Sequence, residues 1–380
     1  MPPVVGEIAA GLLLGPMWIG ALPTEAAATE GFHTFHEFAQ IGLCVLLFRV
    51  GLETDLKEIL RIGRSATGVA VSGMVYPFIL GSGVGLLLGW PWMLTIFVGA
   101  TLTATSIGVT ASVLDEVGGH GSREGRVMMG AAIMDDVLGL LLLAGIVAWV
   151  TPGQAVFGAV SVALVQAMVF MAAGVFLGPW LVRAFVRLSR WAGGQSTFLV
   201  LSFAYLLLMA WTAHEIGLAM IIGAYAAGLA FGGHPEHEQL NKDLRPLIDL
   251  LTPLFFILIG ASIELAGFNP LTAGGREAWF IFFLLFAAAI AGKLLSPALL
   301  KNGMNRMAIG SGMMPRGEVG FVFAQVGLTA GVLDPGRYSI LTLVLVATTV
   351  LGPLLLRRYW NSPDEAPTNS GSTEPELSSP

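Results

Sequence analysis

Twelve apolar stretches, most of them long enough to cross a bilayer, limit what this chain can become. They lie near residues 2–22, 37–52, 64–89, 94–114, 127–150, 155–182, 197–213, 216–232, 249–266, 277–299, 307–331 and 338–356. A helix needs about 20 mostly apolar residues to pass the hydrocarbon core. There every backbone polar group has to be satisfied within the protein. The sequence therefore predicts an all-α, polytopic membrane protein of about 12 transmembrane helices. Composition agrees: 55% of the 380 residues are hydrophobic and 12% charged, where a soluble domain has about 25% charged. Nothing resembles a basic nucleic-acid surface. Cys44, the single cysteine, reads as a small buried hydrophobe. No basic region precedes the first apolar run, so no cleavable signal peptide is expected. Residues 1–360 are read as the membrane part, and the polar, Pro/Ser-rich segment 361–380 as a disordered tail.

Basic residues orient the spans. With the amino terminus inside, the inner loops hold Lys57, Arg61, Arg64, Arg123, Arg126, Arg183, Arg187, Arg190, Lys242, Arg245, Lys301, Arg306, Arg357 and Arg358. The outer loops hold only Arg276 and Arg337. This positive-inside bias predicts that both termini are cytoplasmic. Arg49, Lys293 and Arg316 are left over, each inside an apolar stretch. Charges at that depth are functional candidates.

Two stretches break the helical pattern. In "VGATLTATSIGVTASVL" the hydroxyls of Thr103, Thr105 and Ser106 stand among small residues. They suit a locally unwound helix, although close packing of small residues would give the same composition. In "AIGSGMMPRGEVGFVFAQVG", Pro315 and Gly317 interrupt the hydrogen-bond ladder. Arg316 and Glu318 point to different faces and are expected to find separate structural partners, such as half-helix termini. Breaks in corresponding halves, spans three to five and ten to twelve, point to a transporter of inverted repeats with two crossed broken helices.

The chemistry centres on "GAAIMDDVLGLLLLAGIVAWV", where Asp135 and Asp136 lie side by side. A carboxylate at the bilayer centre costs roughly 2.5–3.5 kcal/mol on insertion scales. Successive helical residues diverge by about 100°. One aspartate can face a water-filled cavity while its neighbour faces another helix, and Lys293 is the membrane-buried cation available to pair with one of them. A salt bridge serving packing alone leaves the second aspartate unexplained.

At these motifs the chain resembles the monovalent cation:proton antiporter-2 family. The resemblance rests on "PPVVGEIAAGLLLGP", "IGLCVLLFRVGLETDL", "GATLTATSIGVTASVLDEVG", "AAIMDDVLGL" and "MMPRGEVGFVFAQVG", which run in the family's order along the membrane part. It implies exchange of Na⁺, Li⁺ or K⁺ for protons across the bacterial cytoplasmic membrane, without a cofactor. It also implies a core (about 64–150 and 277–358), a panel that forms a homodimer (about 2–62 and 197–268) and a linking helix (about 155–182). Asp136 maps to the carrier of cation and proton, Asp135 to the partner of Lys293, and Thr103 and Thr105 to the unwound segment beside the site. Relatives often carry one more helix before the segment matching Pro2–Glu7. Potassium-efflux relatives add a cytosolic nucleotide-binding domain that has no counterpart in this sequence, so gating of that kind is not expected.

Other charges read more plainly. Glu7 is given a structural hydrogen bond, and Arg49 and Glu53, spaced i, i+4, a snorkelling ion pair. His234 and His237 in "GHPEHE", and His33, His36 and Glu37 near the outer face, read as solvated rather than metal-binding. His120 has only the residue type of a pH sensor. Among other functions, a sodium-coupled symporter and a K⁺/H⁺ antiporter stay closest. An intramembrane aspartyl protease needs carboxylates converging from facing helices, which adjacent aspartates do not provide. A channel needs a continuous pore, whereas one carboxylate site between broken helices favours alternating access.

Overall fold

The computed structural model describes residues 2–16, 18–20, 22, 30–54, 63–119, 121–150, 156–192, 195–232, 234, 236–300 and 303–360. Among them the regular structure is helical. The helices are α1 (Pro3–Leu14), α2 (Glu30–Glu53), α3 (Arg64–Leu87), α4 (Trp92–Thr101), α5 (Ile107–Glu116), α6 (Arg123–Val150) and α7 (Val156–Ala192). They continue with α8 (Gln195–Glu215), α9 (Met220–Phe231), α10 (His237–Ala261), α11 (Ala273–Leu295), α12 (Arg306–Gly312), α13 (Glu318–Thr329) and α14 (Pro335–Tyr359).

Eight of the helices are long and apolar enough to span a membrane. The remaining four expected spans hold shorter apolar helices: α1, α4 with α5, α9, and α12 with α13. Two of these are the expected breaks. The other two, α1 and α9, have only 12 residues each, about 18 Å of rise. Helix ends also differ from the apolar limits. α2 begins at Glu30 rather than near 37, and α10 at His237 rather than near 249. Hydropathy marks only what lipid covers. The first turns of α10 are polar, yet Leu240, Leu244 and Ile248 recur every fourth residue and are buried, so tertiary packing extends the helix past the apolar window. Residues 361–380 and His120 lie outside the described residues.

The helices gather in two groups. α2 is the spine of the first, packed on α9 and α10, while α1 lies on α10 and α8 on α9. α2 and α9 approach so closely that a Cβ at Gly228 would collide with the backbone carbonyl of Phe48. The second group joins α3 to α4, α6 and α11, and α14 to α11, α12 and α13. At Gly292 of α11 an added Cβ would lie 2.7 Å from the backbone of Pro77 in α3. α7, at 37 residues, reaches α6 in one group and α8 and α9 in the other. Within the second group the element pattern repeats: α3, broken α4/α5, α6, and then α11, broken α12/α13, α14.

Candidate ion-exchange site

Each break is stabilised locally and then by the other. α4 stops where Thr103 turns its hydroxyl back onto the carbonyl of Ala100 (2.7 Å). α5 starts at Ser106, whose hydroxyl accepts from the N–H of Val109 (3.4 Å). This is N-capping, which satisfies a donor that a helix terminus leaves orphaned. In the second break Pro315 prevents continuation of α12. The breaks cross and exchange hydrogen bonds. The N–H of Ser106 donates to the carbonyl of Pro315 (2.8 Å). The hydroxyls of Thr105 and Thr110 donate to the carbonyls of Met313 (3.3 Å) and Gly312 (2.7 Å). Unwound backbone is thus tolerated at membrane depth because protein, not lipid, surrounds it.

Two cations hold this crossing. Arg316 is 1% exposed. Its guanidinium donates to the carbonyls of Leu102 and Ala104 (the latter at 3.1 Å) and of Ala289 (3.0 Å). It therefore sits at the carboxyl end of α4, where a positive charge is favourable. Glu318 takes the opposite place, in the first turn of α13 after Gly317. Lys293, at the end of α11, is fully buried. Its ammonium donates to the hydroxyl of Thr105 (2.6 Å) and to Oδ2 of Asp135 (3.4 Å).

The adjacent carboxylates of α6 have different surroundings. Asp135, 2% exposed, is engaged by Lys293 through one oxygen. Its Oδ1 has no hydrogen-bond partner among the described residues. Asp136 keeps 7% exposure, and among the described residues no side chain forms a hydrogen bond or ion pair with it. Glu318, Asp135 and Lys293 nevertheless act on it electrostatically. Taken as ionised, Asp135, Asp136 and Glu318 against Lys293 and Arg316 leave one excess negative charge. That suits one monovalent cation or one proton. Of the three hydroxyls expected to line the site, only Thr105 meets this group, since Thr103 and Ser106 are spent on the helix ends.

A model of the transmembrane part of sodium/hydrogen exchangers matches residues 1–361. The chain belongs to the sodium/hydrogen exchanger family. It is 34% identical to the high-affinity Na⁺/H⁺ antiporter NhaS3 of Synechocystis, over 97% of this chain and 87% of that protein. It is 31% identical to the probable Na⁺/H⁺ antiporter GerT of Bacillus cereus, over 94% and 93%. Among solved structures, the sodium proton antiporter MjNhaP1 of Methanocaldococcus jannaschii aligns with a TM-score of 0.68 at 16% identity, over 95% of this chain and 91% of that one. It shares the fold.

Outside the pair, several charges of this exchanger form ion pairs with one another. Arg49 pairs with Glu53 (2.8 Å), which also accepts from the Asn241 amide (3.0 Å). His234 contacts Glu236 (2.6 Å), and Arg190 lies 3.5 Å from the same carboxylate. The loop before α10 is thereby tied to the end of α7. Glu7 lies half-buried on α1, in the other helix group from the aspartates. Cys44 is buried. Thr349 and Tyr225 carry parts the sequence reading did not assign. The Thr349 hydroxyl accepts from the N–H of Arg316 (3.1 Å) and donates to the carbonyl of Leu345 (2.7 Å). Tyr225 is fully buried and pairs with Thr54 (3.3 Å), and the charge of Asp136 is felt at its phenol. The adjacent threonines of "VATTVLG" and the lone tyrosine of "GAYAAG" were the available signals.

Proposed function

We propose that this protein is a secondary antiporter that exchanges Na⁺ for protons across the bacterial cytoplasmic membrane, with both termini inside. The observation that carries the reading is the unlike pair on α6: Asp135 is tied to Lys293, whereas Asp136 has no side-chain partner among the described residues and keeps a trace of exposure. A carboxylate without a counter-ion in a low-dielectric site needs a positive charge, and a cation and a proton compete for it. That competition is antiport. Thr105, Oδ1 of Asp135 and the carbonyls of the crossed breaks offer further oxygen ligands to a hard monovalent cation.

The two helix groups support alternating access. The second group is the core that carries the site. The first is the panel, with homodimer contacts, and α7 links the two. The core slides against the panel and exposes Asp136 to one side at a time. Purified protein in liposomes, given a Na⁺ pulse on one side, is expected to move protons in the opposite direction without any energy source. Li⁺ and K⁺ pulses rank selectivity in the same assay. Sodium uptake accompanied by proton movement in the same direction would replace antiport by symport.

Exchange is electrogenic in this reading. When a cation arrives, Asp135 separates from Lys293, and the ammonium proton leaves with that of Asp136. Two protons then return for each cation. Lys293→Gln is expected to retain exchange while losing transport current, recorded on a supported membrane beside a proton-sensitive dye. Unchanged current per cation moved would make Lys293 a packing residue.

A further inference from the structure

A groove of about 470 Å³ runs along α3. Arg64, Gly68, Val71, Ser72 and Val75 line one side, spaced as one helical stripe, and Leu299 forms the other wall. Val71, Val75 and Leu299 are 47%, 41% and 72% exposed, so the groove opens away from the helix bundle. It exists because the stripe is small in the middle. Nothing lies within 4 Å of where a Cβ of Gly68 would stand. Ser72 is folded inward, its hydroxyl on the carbonyls of Gly68 and Ser296 (both 2.5 Å).

We propose that this groove binds an anionic phospholipid of the cytoplasmic leaflet, a placement that rests on the orientation proposed above. Two observations choose the occupant. The first is length: Arg64 to Tyr76, the depth of the lined stripe, is about 18 Å of helix rise, close to the roughly 15 Å of one leaflet's hydrocarbon. A single acyl chain fits from the headgroup level to the midplane. The second is charge. Arg64 is exposed at the groove's mouth and, among the described residues, forms no hydrogen bond or ion pair. Arg126, Arg306 and Arg357 at this edge are committed to the carbonyls of Gly121 and Leu300 and to Glu116, and Arg123 and Arg358, also exposed, do not line the groove. A headgroup phosphate would give Arg64 a charge-assisted partner. Ser72 of the lining ties the groove to α11 through its hydrogen bond to the carbonyl of Ser296, which follows the last turn of that helix. The bound lipid therefore braces the helix pair that carries the lysine and travels with the core.

The test is native mass spectrometry of the purified, delipidated full chain, titrated with phosphatidylglycerol or with phosphatidylcholine of the same acyl chains. The wild type is expected to hold its tightest-bound phosphatidylglycerol about fivefold more strongly than phosphatidylcholine. Arg64→Gln should bring that ratio to about one. Gly68→Leu, which fills the notch, should weaken both lipids. Equal affinities in the wild type, or an undiminished preference in Arg64→Gln, would overturn the proposal. Because Arg64 is exposed and unpaired among the described residues, its variant tests the site even where Gly68→Leu fails to fold.

Discussion

Asp136→Asn is expected to abolish Na⁺-driven proton movement in liposomes, down to the signal of protein-free vesicles, while the protein folds and melts at or above the wild-type temperature. The amide has nearly the carboxylate's shape, so packing on α6 is kept. It has neither the negative charge that holds a cation nor a proton to release in this range. The stability half of the expectation follows from the cost of burial. A carboxylate at bilayer depth costs roughly 2.5–3.5 kcal/mol on insertion scales, and Asp136 has no side-chain partner among the described residues to offset it. Asp135→Asn is the control that separates the roles. It leaves the carrier but strips Lys293 of its ion pair, so it should cost stability and alter current before it stops exchange. Robust exchange by Asp136→Asn, or a lower melting temperature than Asp135→Asn, would assign the carrier to the wrong aspartate.

Arg316→Met should be the most damaging single change to the fold. The carbonyls of Leu102 and Ala104 in the break lose their donor at once, and that of Ala289 loses the one that links it to the break. Each unsatisfied buried acceptor costs about 1–3 kcal/mol, and lipid offers no substitute. Removing the charge returns part of that, because a guanidinium is itself expensive to bury. It also leaves Asp135, Asp136 and Glu318 facing Lys293 alone. The net expectation is a loss of about 3 kcal/mol or more, read as a fall of roughly 5 °C or more in melting temperature and a sharp drop in folded yield. Arg316→Lys should recover only part, since a single ammonium does not span carbonyls from two helices. A methionine variant that melts like the wild type would show that water or backbone rearrangement satisfies these carbonyls.

Much of this arrangement could be read from residue types in sequence, because a bilayer punishes exceptions. Asp135, Asp136, Lys293, Arg316 and Glu318 were visible as charges in apolar runs, and the two breaks as clusters of Pro, Gly and hydroxyls. What escaped was direction. Thr103, Thr105 and Ser106 look equivalent in sequence, yet only Thr105 reaches Lys293, because the other two hydroxyls lie within reach of helix-end backbone. Thr349 and Tyr225 escaped for a related reason. A hydroxyl in an apolar helix costs little, since it can bond to a carbonyl of its own helix as Thr348 and Thr349 do, so its presence does not announce a partner on another helix. The ends of α2 and α10 were missed because packing, not hydropathy, decides where a helix stops outside the membrane.

The crossing of the breaks also bears on how the chain is made. Ser106 and Pro315 satisfy one another across 209 positions of sequence, and Thr105 reaches Met313 across 208. During synthesis the first break is complete long before its partner leaves the ribosome. For that interval its backbone has no protein donor or acceptor to meet and must be kept from lipid by water or by the insertion machinery. The nascent first repeat is then the vulnerable species. A chain stopped between α6 and α11 should be recognised and degraded, whereas co-expression of the missing half as a separate polypeptide should rescue it.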